Sequence, residues 1–300
     1  MGSARGGERP PAPEPLRVAV VDSHCHLDMG AQAVSGDEIE TRNDGAYLGV
    51  ADALAQAKAV GVERIVQIGC ELVGARWAVE VAREHDDVWA GVALHPNEAP
   101  RLVASGQAVF DEAFDEIATL AADPAVRAVG ETGLDHFRTD ADMLEGRGRT
   151  VQEESFRRHI ALAKTLNKPL VIHDRDAHDD VLRVLRDEGA PDVVVLHCFS
   201  GDDVMARACV SAGYYLSFAG TVTFKNAQPL RDALRVVPAE LVLVETDAPF
   251  LTPMPYRGRP NASYLVPLTM RAMAESRGDD LDALCGAVAA NSARVFGPWS

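Results

Sequence analysis

The stretch RVAVVDSHCHLD, residues 17–28, runs from apolar, β-branched residues into two histidines one residue apart. Side chains on a strand alternate between faces, so His24 and His26 share one face and Cys25 takes the other, with Asp22 and Asp28 on the histidines' phase. Near-continuous apolar character without alternation is the mark of a strand buried on both sides, as in a parallel sheet covered by helices. Seven further runs have the same character: RIVQIGC (64–70), VWAGVALHP (88–96), VRAVGETGLD (126–135), PLVIHDRD (169–176), VVVLHCFSG (193–201), YYLSFAG (214–220) and LVLVETDAPF (241–250).

Between them lie stretches with apolar residues three and four apart, among them GVADALAQAKAVG (49–61), FDEAFDEIATLAAD (110–123), EESFRRHIALAKTLN (153–167) and DDVLRVLRDEG (179–189). Eight strands alternating with helices over about 250 residues predict an α/β fold of the (β/α)8 TIM type, closed into a barrel. SYLVPLTMRAMAESRG (263–278) and LDALCGAVAANSARVFG (281–297) read as two extra C-terminal helices. An open doubly wound sheet is the structural alternative, but neither a G-x-G-x-x-G nor a G-x-x-x-x-G-K-[ST] phosphate cradle occurs. The reading is one domain over residues 17–300, preceded by a loose Pro- and Gly-rich tail over residues 1–16.

Composition narrows the function classes. Of 300 residues, 45 are acidic and 29 basic, a formal charge of −16, so a phosphate-bearing ligand must meet a local basic patch rather than a basic surface. Five scattered cysteines without C-x-x-C spacing suggest reduced thiols rather than a disulfide framework or a cysteine zinc knuckle. With no membrane-spanning apolar run and no signal-peptide centre, the expectation is a soluble, cytoplasmic protein, a monomer or weak oligomer.

Nearly every strand ends in a polar residue that a packed barrel would not choose: His95, Glu131, His173, His197 and Asp247, beside the pair His24 and His26. Carboxyl ends of barrel strands converge on one mouth, where sites of this architecture are built. Imidazoles and carboxylates at that density call for a neutralising metal. The expected arrangement is two divalent ions, zinc, magnesium or manganese, with His24, His26 and Asp247 on one, His173 and His197 on the other, and Glu131 bridging. Any one of these residues alone reads as a hydrogen-bonded interior side chain; six at the same strand ends do not.

VDSHCHLD, GVALHP, GETGLD, IHDRDA, LHCFSG and VETDAPFL, in this order, resemble the successive signatures of the TatD-type deoxyribonucleases, metal-dependent hydrolases on a (β/α)8 barrel, from about residue 18 to residue 297. The resemblance implies a metal-dependent phosphodiesterase with 3′→5′ exonuclease action on single-stranded DNA, and in some relatives RNA. It carries the same six ligands. Two departures stand out: the long acidic segment 30–50, and Asp174, where a small hydroxyl residue is common.

For catalysis, Asp247 is the candidate base beside the bridging Glu131, and Glu245, on the phase of Asp247, the candidate partner of a ligating histidine. His95, Arg175, Lys225, Arg257 and Arg259 are the candidate substrate contacts, the last two flanking Gly258 in the loop after strand eight, a usual phosphate seat of this fold. Phe137, Phe199, Phe218, Phe224, Phe250 and Tyr256 are the aromatic residues in reach of a base. The alternatives are amide or aminoacyl-ester hydrolysis on the same barrel and a non-catalytic scaffold stiffened by metal.

Overall fold

The computed structural model describes residues 8–31, 34–35, 38–39, 48–139 and 144–297. All eight expected strands form: β1 (Val20–Cys25), β2 (Val62–Gly69), β3 (Val88–Val92), β4 (Val126–Asp135), β5 (Leu170–Arg175), β6 (Val194–Leu196), β7 (Tyr215–Phe218) and β8 (Val242–Val244). They pair in sequence order, every ladder parallel. Bonds between β1 and its flank and the loop after β8 close the barrel between the end strands. Thr246 N–H donates to Asp22 Oδ1 at 2.9 Å, Asp247 N–H to the His24 carbonyl at 2.9 Å, and His26 N–H to the Ala248 carbonyl at 2.8 Å.

Helices on the outside are α1 (Val50–Ala59), α2 (Leu72–Glu84), α3 (Glu98–Ser105), α4 (Gln107–Ala121), α5 (Gly148–Leu166), α6 (His178–Glu188), α7 (Asp203–Ser211) and α8 (Gln228–Val236). The two expected closing helices follow as α9 (Val266–Arg277) and α10 (Leu281–Phe296). Aspartates cap the starts of α7 and α10, Asp202 accepting from Met205 N–H and Asp280 from Ala283 N–H. Among the described residues no helix is long and apolar enough to cross a membrane.

Apolar packing divides into two groups. The larger joins strands to helices; the smaller takes Val21, Val66, Trp89, Ala128, Val171, Val195 and Leu243 from seven strands, with Tyr215 of the eighth against it, and therefore fills the barrel interior. These groups expose a shift of phase in two strands. Val21 packs inward and Cys25 outward, although strict alternation puts residues four apart on one face, and the β1–β2 register shifts between Asp22 and Cys25. Likewise Val129 packs outward while Glu131, two residues on, enters the mouth, and the β4–β5 register shifts between Val129 and Thr132. Both irregularities turn polar side chains inward next to the site, a common use of bulges.

The loose-tail expectation is corrected over residues 10–16. Leu16 is buried and its N–H donates to the Val60 carbonyl at 3.0 Å. The Pro10 carbonyl accepts from the Tyr264 hydroxyl at 2.6 Å, and that of Pro15 from Arg271 at 3.2 Å. A proline-rich segment is already extended and its carbonyls have no partner of their own, so docking it costs little order. Residues 1–7 lie outside the described residues. So does most of the acidic segment 30–50, of which Val34–Ser35 and Glu38–Ile39 pair antiparallel.

Candidate metal centre

Glu131 stands at the middle of the mouth because β4 can come unusually close to β5. A Cβ on Gly130 would lie 2.7 Å from the Val171 carbonyl oxygen, and one on Gly133, at φ +136°, 2.1 Å from the carbonyl oxygen of His173. Only glycine fits at either place, which gives the GETGLD signature a steric meaning.

The two oxygens of the Glu131 carboxylate face different histidines. Oε2 lies 3.4 Å from His24 Nε2 and 3.7 Å from His26 Nε2, and those two nitrogens are 3.3 Å apart. Oε1 lies 2.6 Å from His173 Nδ1, 2.8 Å from His197 Nε2 and 3.5 Å from His95 Nε2. Asp247 Oδ1 closes the first set, 3.4 Å from His26 Nε2. The His197 ring stacks on that of His24 with centroids 3.8 Å apart, so the sets are contiguous.

These spacings match a cation's ligands. Arms of about 2.1 Å at tetrahedral angles leave donor atoms roughly 3.4 Å apart, close to the 3.3, 3.4 and 3.7 Å separations within the His24, His26, Glu131 and Asp247 group. Among the described residues three groupings bring donor atoms within 4.8 Å of one another: His24–His26–Glu131, His24–His197–Asp247 and His95–Glu131–His173. Borderline nitrogen donors with shared carboxylates suit transition-metal and mixed divalent chemistry. The residues therefore fit a metal centre.

Electrostatics follow from burial and company. Burial opposes ionisation of Glu131, but the charge of His197 and the hydrogen bond from His173 hold it well below the usual carboxylate range. Burial pushes His26 down, yet the hydrogen bond to Asp247 and that residue's charge lift it to about 9. For His24 burial wins, reinforced by His197, and its pKa falls. Asp247, pushed up by burial, is brought below its ordinary value by the hydrogen bond from His26.

The structure thus gathers His24, His26, Glu131, His173, His197 and Asp247, and adds His95, expected further out as a substrate contact. His95 Nδ1 accepts from Asn97 N–H at 3.1 Å, which leaves Nε2 as the donor aimed at Glu131. Glu245 is fully buried, its Oε1 3.2 Å from His197 Nδ1. Asp22 and Asp28 stay out of the cluster. The shift of phase in β1 hands Asp22 to Thr246, whose hydroxyl donates at 2.6 Å, and Asp28 accepts from Gln67 at 2.7 Å. Asp174 also faces away. It takes His178 Nδ1 at 2.7 Å and the Ala177 N–H at 3.3 Å, both at the start of α6.

Arg175, Lys225, Arg257 and Arg259 form no ion pair with the cluster among the described residues. Arg175 lies over the Phe137 ring at 3.9 Å and Arg257 over Phe224 at 4.3 Å; Arg259 is 5.7 Å from Tyr256, and Lys225 is exposed. Two members of the site went unread. Asp135, almost wholly buried, lies 3.3 Å from His173 Nε2 and is held by Asn97 Nδ2 at 3.1 Å and Arg138 N–H at 2.8 Å. Its signal was present, since Glu131, Gly133 and Asp135 alternate on one face. Cys70, whose thiol donates to Glu131 Oε2 at 3.3 Å, carried none.

Known proteins resemble this chain along almost its whole length. The family described as TatD related DNase matches residues 21–297. The metal-dependent hydrolase TatD of Mycobacterium tuberculosis is 43% identical over 279 residues, 93% of this chain and 98% of that one. The 3′-5′ ssDNA/RNA exonuclease TatD of Escherichia fergusonii is 34% identical over 279 residues, 90% and 98% of the two chains. Among solved structures, the TatD homologue YjjV of Escherichia coli K12 superposes with a TM-score of 0.77 at 25% identity, over 93% of this chain and 98% of its own.

Proposed function

From the premise that this chain belongs to the TatD-related DNase family of metal-dependent hydrolases, we propose that it is a divalent-metal-dependent phosphodiesterase that removes nucleotides from the 3′ end of single-stranded DNA or RNA. One observation carries the reading: a single buried carboxylate presents one oxygen to His24 and His26 and the other to His173 and His197. That is the geometry of a bridge. His24, His26 and Asp247 would hold one ion, His173 and His197 a second, with Glu131 between.

Divalent ions held there supply Lewis acidity, which lowers the pKa of water and stabilises charge on phosphoryl oxygens. The protein's own groups do the rest. Asp247, kept ionised by His26 and with its side chain still 15% exposed to the mouth, accepts the proton of the attacking water. His95 Nε2–H, freed as a donor by the bond at Nδ1, is directed at a phosphoryl oxygen beside Glu131. Glu245 orients the His197 ring. Arg175, Lys225, Arg257 and Arg259 supply the basic rim that a chain of charge −16 needs to retain a polyanion.

The test is cleavage of a 5′-labelled single-stranded oligodeoxynucleotide. A ladder shortening from the 3′ end, abolished by chelator and restored by magnesium, manganese or zinc, is expected, with Asp247→Asn inactive yet folded and still holding at least one ion. Undiminished cleavage in chelator, or no cleavage with any of these ions, overturns the proposal.

A further inference from the structure

Four large apolar side chains are exposed among the described residues, and two of them are phenylalanines at the mouth: Phe137, 61% exposed, and Phe250, 37% exposed. Phe137 follows the end of β4 by two residues, and Phe250 follows Asp247 by three. Phe199 and Phe218, also in reach by sequence, are buried packing residues. Exposed phenylalanine forgoes the gain of burial, so two placed on either side of one polar centre point to something that covers them in use.

Both rings are held for presentation. The backbone around Phe137 is pinned on either side, His136 N–H donating to the Arg175 carbonyl at 2.9 Å and Arg138 N–H to Asp135 Oδ1 at 2.8 Å. Phe250 N–H donates to the Asp247 carbonyl at 2.9 Å, and the Phe250 carbonyl accepts from Asn261 Nδ2 at 2.5 Å. Each ring is also tied to the centre. Phe250 stands edge-on to His26 with centroids 6.4 Å apart. Phe137 carries the Arg175 guanidinium over its face at 3.9 Å, and Arg175 ends the strand that bears His173.

We propose that Phe137, with Arg175, and Phe250 are stacking platforms for the two nucleobases that flank the bond cleaved at Glu131, and that they make the enzyme select unpaired strands. The inference rests on the phosphodiesterase reading above. A planar guanidinium on an aromatic ring offers a second flat face for a base and a positive charge for the adjoining phosphate, which lysine does not. A base inside a duplex has both faces covered by its neighbours and cannot reach either ring, so stacking here demands that the strand be unpaired.

The experiment compares kcat/KM for two single-stranded oligonucleotides of equal length, one with normal bases and one with abasic residues in the last three 3′ positions. Phosphates are the same in both, and only bases differ. The wild-type metal-loaded enzyme is expected to prefer the base-bearing strand. Phe137→Ala and Phe250→Ala should each lower that preference by between about 5-fold and 150-fold, the range for one lost base–aromatic stack. Phe137→Tyr should restore it. If the wild type cleaves both strands equally, or the alanine variants slow both by the same factor, the stacking inference fails while the phosphodiesterase reading stands. If neither strand is cleaved with magnesium, manganese or zinc, the reading and the inference fall together.

Discussion

Two buried histidine environments in this molecule differ in a way that separates a site from a core. His159, on α5, is fully buried like His24. Its Nε2 accepts the Leu94 N–H at 3.1 Å and its Nδ1 donates to the Ser155 carbonyl at 2.8 Å, so backbone satisfies both nitrogens and fixes a neutral tautomer. At the mouth the ring nitrogens of His24 and His26 instead face each other at 3.3 Å and converge on a carboxylate. Burial, helped by the Arg158 charge, lowers His159 to about 4, whereas His26, also buried, is raised to about 9 by Asp247. Imidazole and burial are common to both; what marks the site is that Nε2 of His24, of His26 and of His95 is turned to an acid even where Nδ1 meets a peptide group, as in His26 and His95, whereas peptide groups take both nitrogens of His159.

Removing the acid tests that contrast most directly. Glu131→Gln keeps the shape and deletes the charge both histidine sets share. Metal content, measured on the purified protein by elemental analysis, should collapse, and hydrolytic rate should fall by more than the roughly 100-fold that loss of an outer partner costs. His159→Gln should keep its metal. A Glu131→Gln protein that retains both metal and rate would put the cluster in the same class as His159.

Asp135→Asn comes next in size. The carboxylate behind His173 Nε2 is pushed up by burial and brought below the ordinary carboxylate range by His173, Arg138 N–H and Asn97. Asparagine keeps the volume but offers a neutral acceptor, so metal affinity should weaken by about 10- to 100-fold. Competition with a chelating dye measures it, and unchanged affinity would leave Asp135 a packing residue.

The barrel was legible because its evidence is redundant. Eight apolar runs such as RIVQIGC and VVVLHCFSG each need burial on both faces, and helical spacing recurs between them. The gathering of the histidines was legible for a related reason: barrel topology brings strand ends together whatever their separation in sequence. Phase was not. Asp22 shares alternation with His24 in the sequence, but the register shift in β1 sends it to Thr246, and nothing in VVDSHC announces a bulge. The docking of residues 10–16 was hidden as well, because Pro10 and Pro15 are held through their carbonyls, which side-chain composition does not report. Arg175, Lys225, Arg257 and Arg259 lie on loops, where no periodicity says which way a side chain turns.

The pH dependence of stability sharpens the comparison from the side of His159. Its folded pKa of about 4 lies below the ordinary value of 6.5, so between these values the unfolded chain binds the extra proton. Stability from this group is complete above 6.5 and is lost as pH falls towards 4. Between pH 7 and 4.5 that amounts to roughly 2 kcal/mol. Urea unfolding of metal-free protein should show the difference between those pH values shrinking by that amount in His159→Gln. An unchanged difference would mean that His159 does not titrate in this window.

Asp174→Ser should have the smallest effect. Asp174 serves the start of α6, accepting from Ala177 N–H and pairing with His178, whose pKa it raises chiefly through that hydrogen bond. Serine can still accept from Ala177 N–H but cannot hold a charged imidazole. Since the His178 side chain is 36% exposed, solvent screens much of that pair, and the cost should stay at or below about 1 kcal/mol. Metal affinity should not change, because His173 and Asp174 are successive residues of β5 and face opposite ways: one looks to Glu131, the other to the helix. A loss of affinity approaching that of Asp135→Asn would show that the two faces of this strand are coupled, and that charge outside the barrel wall reaches the centre.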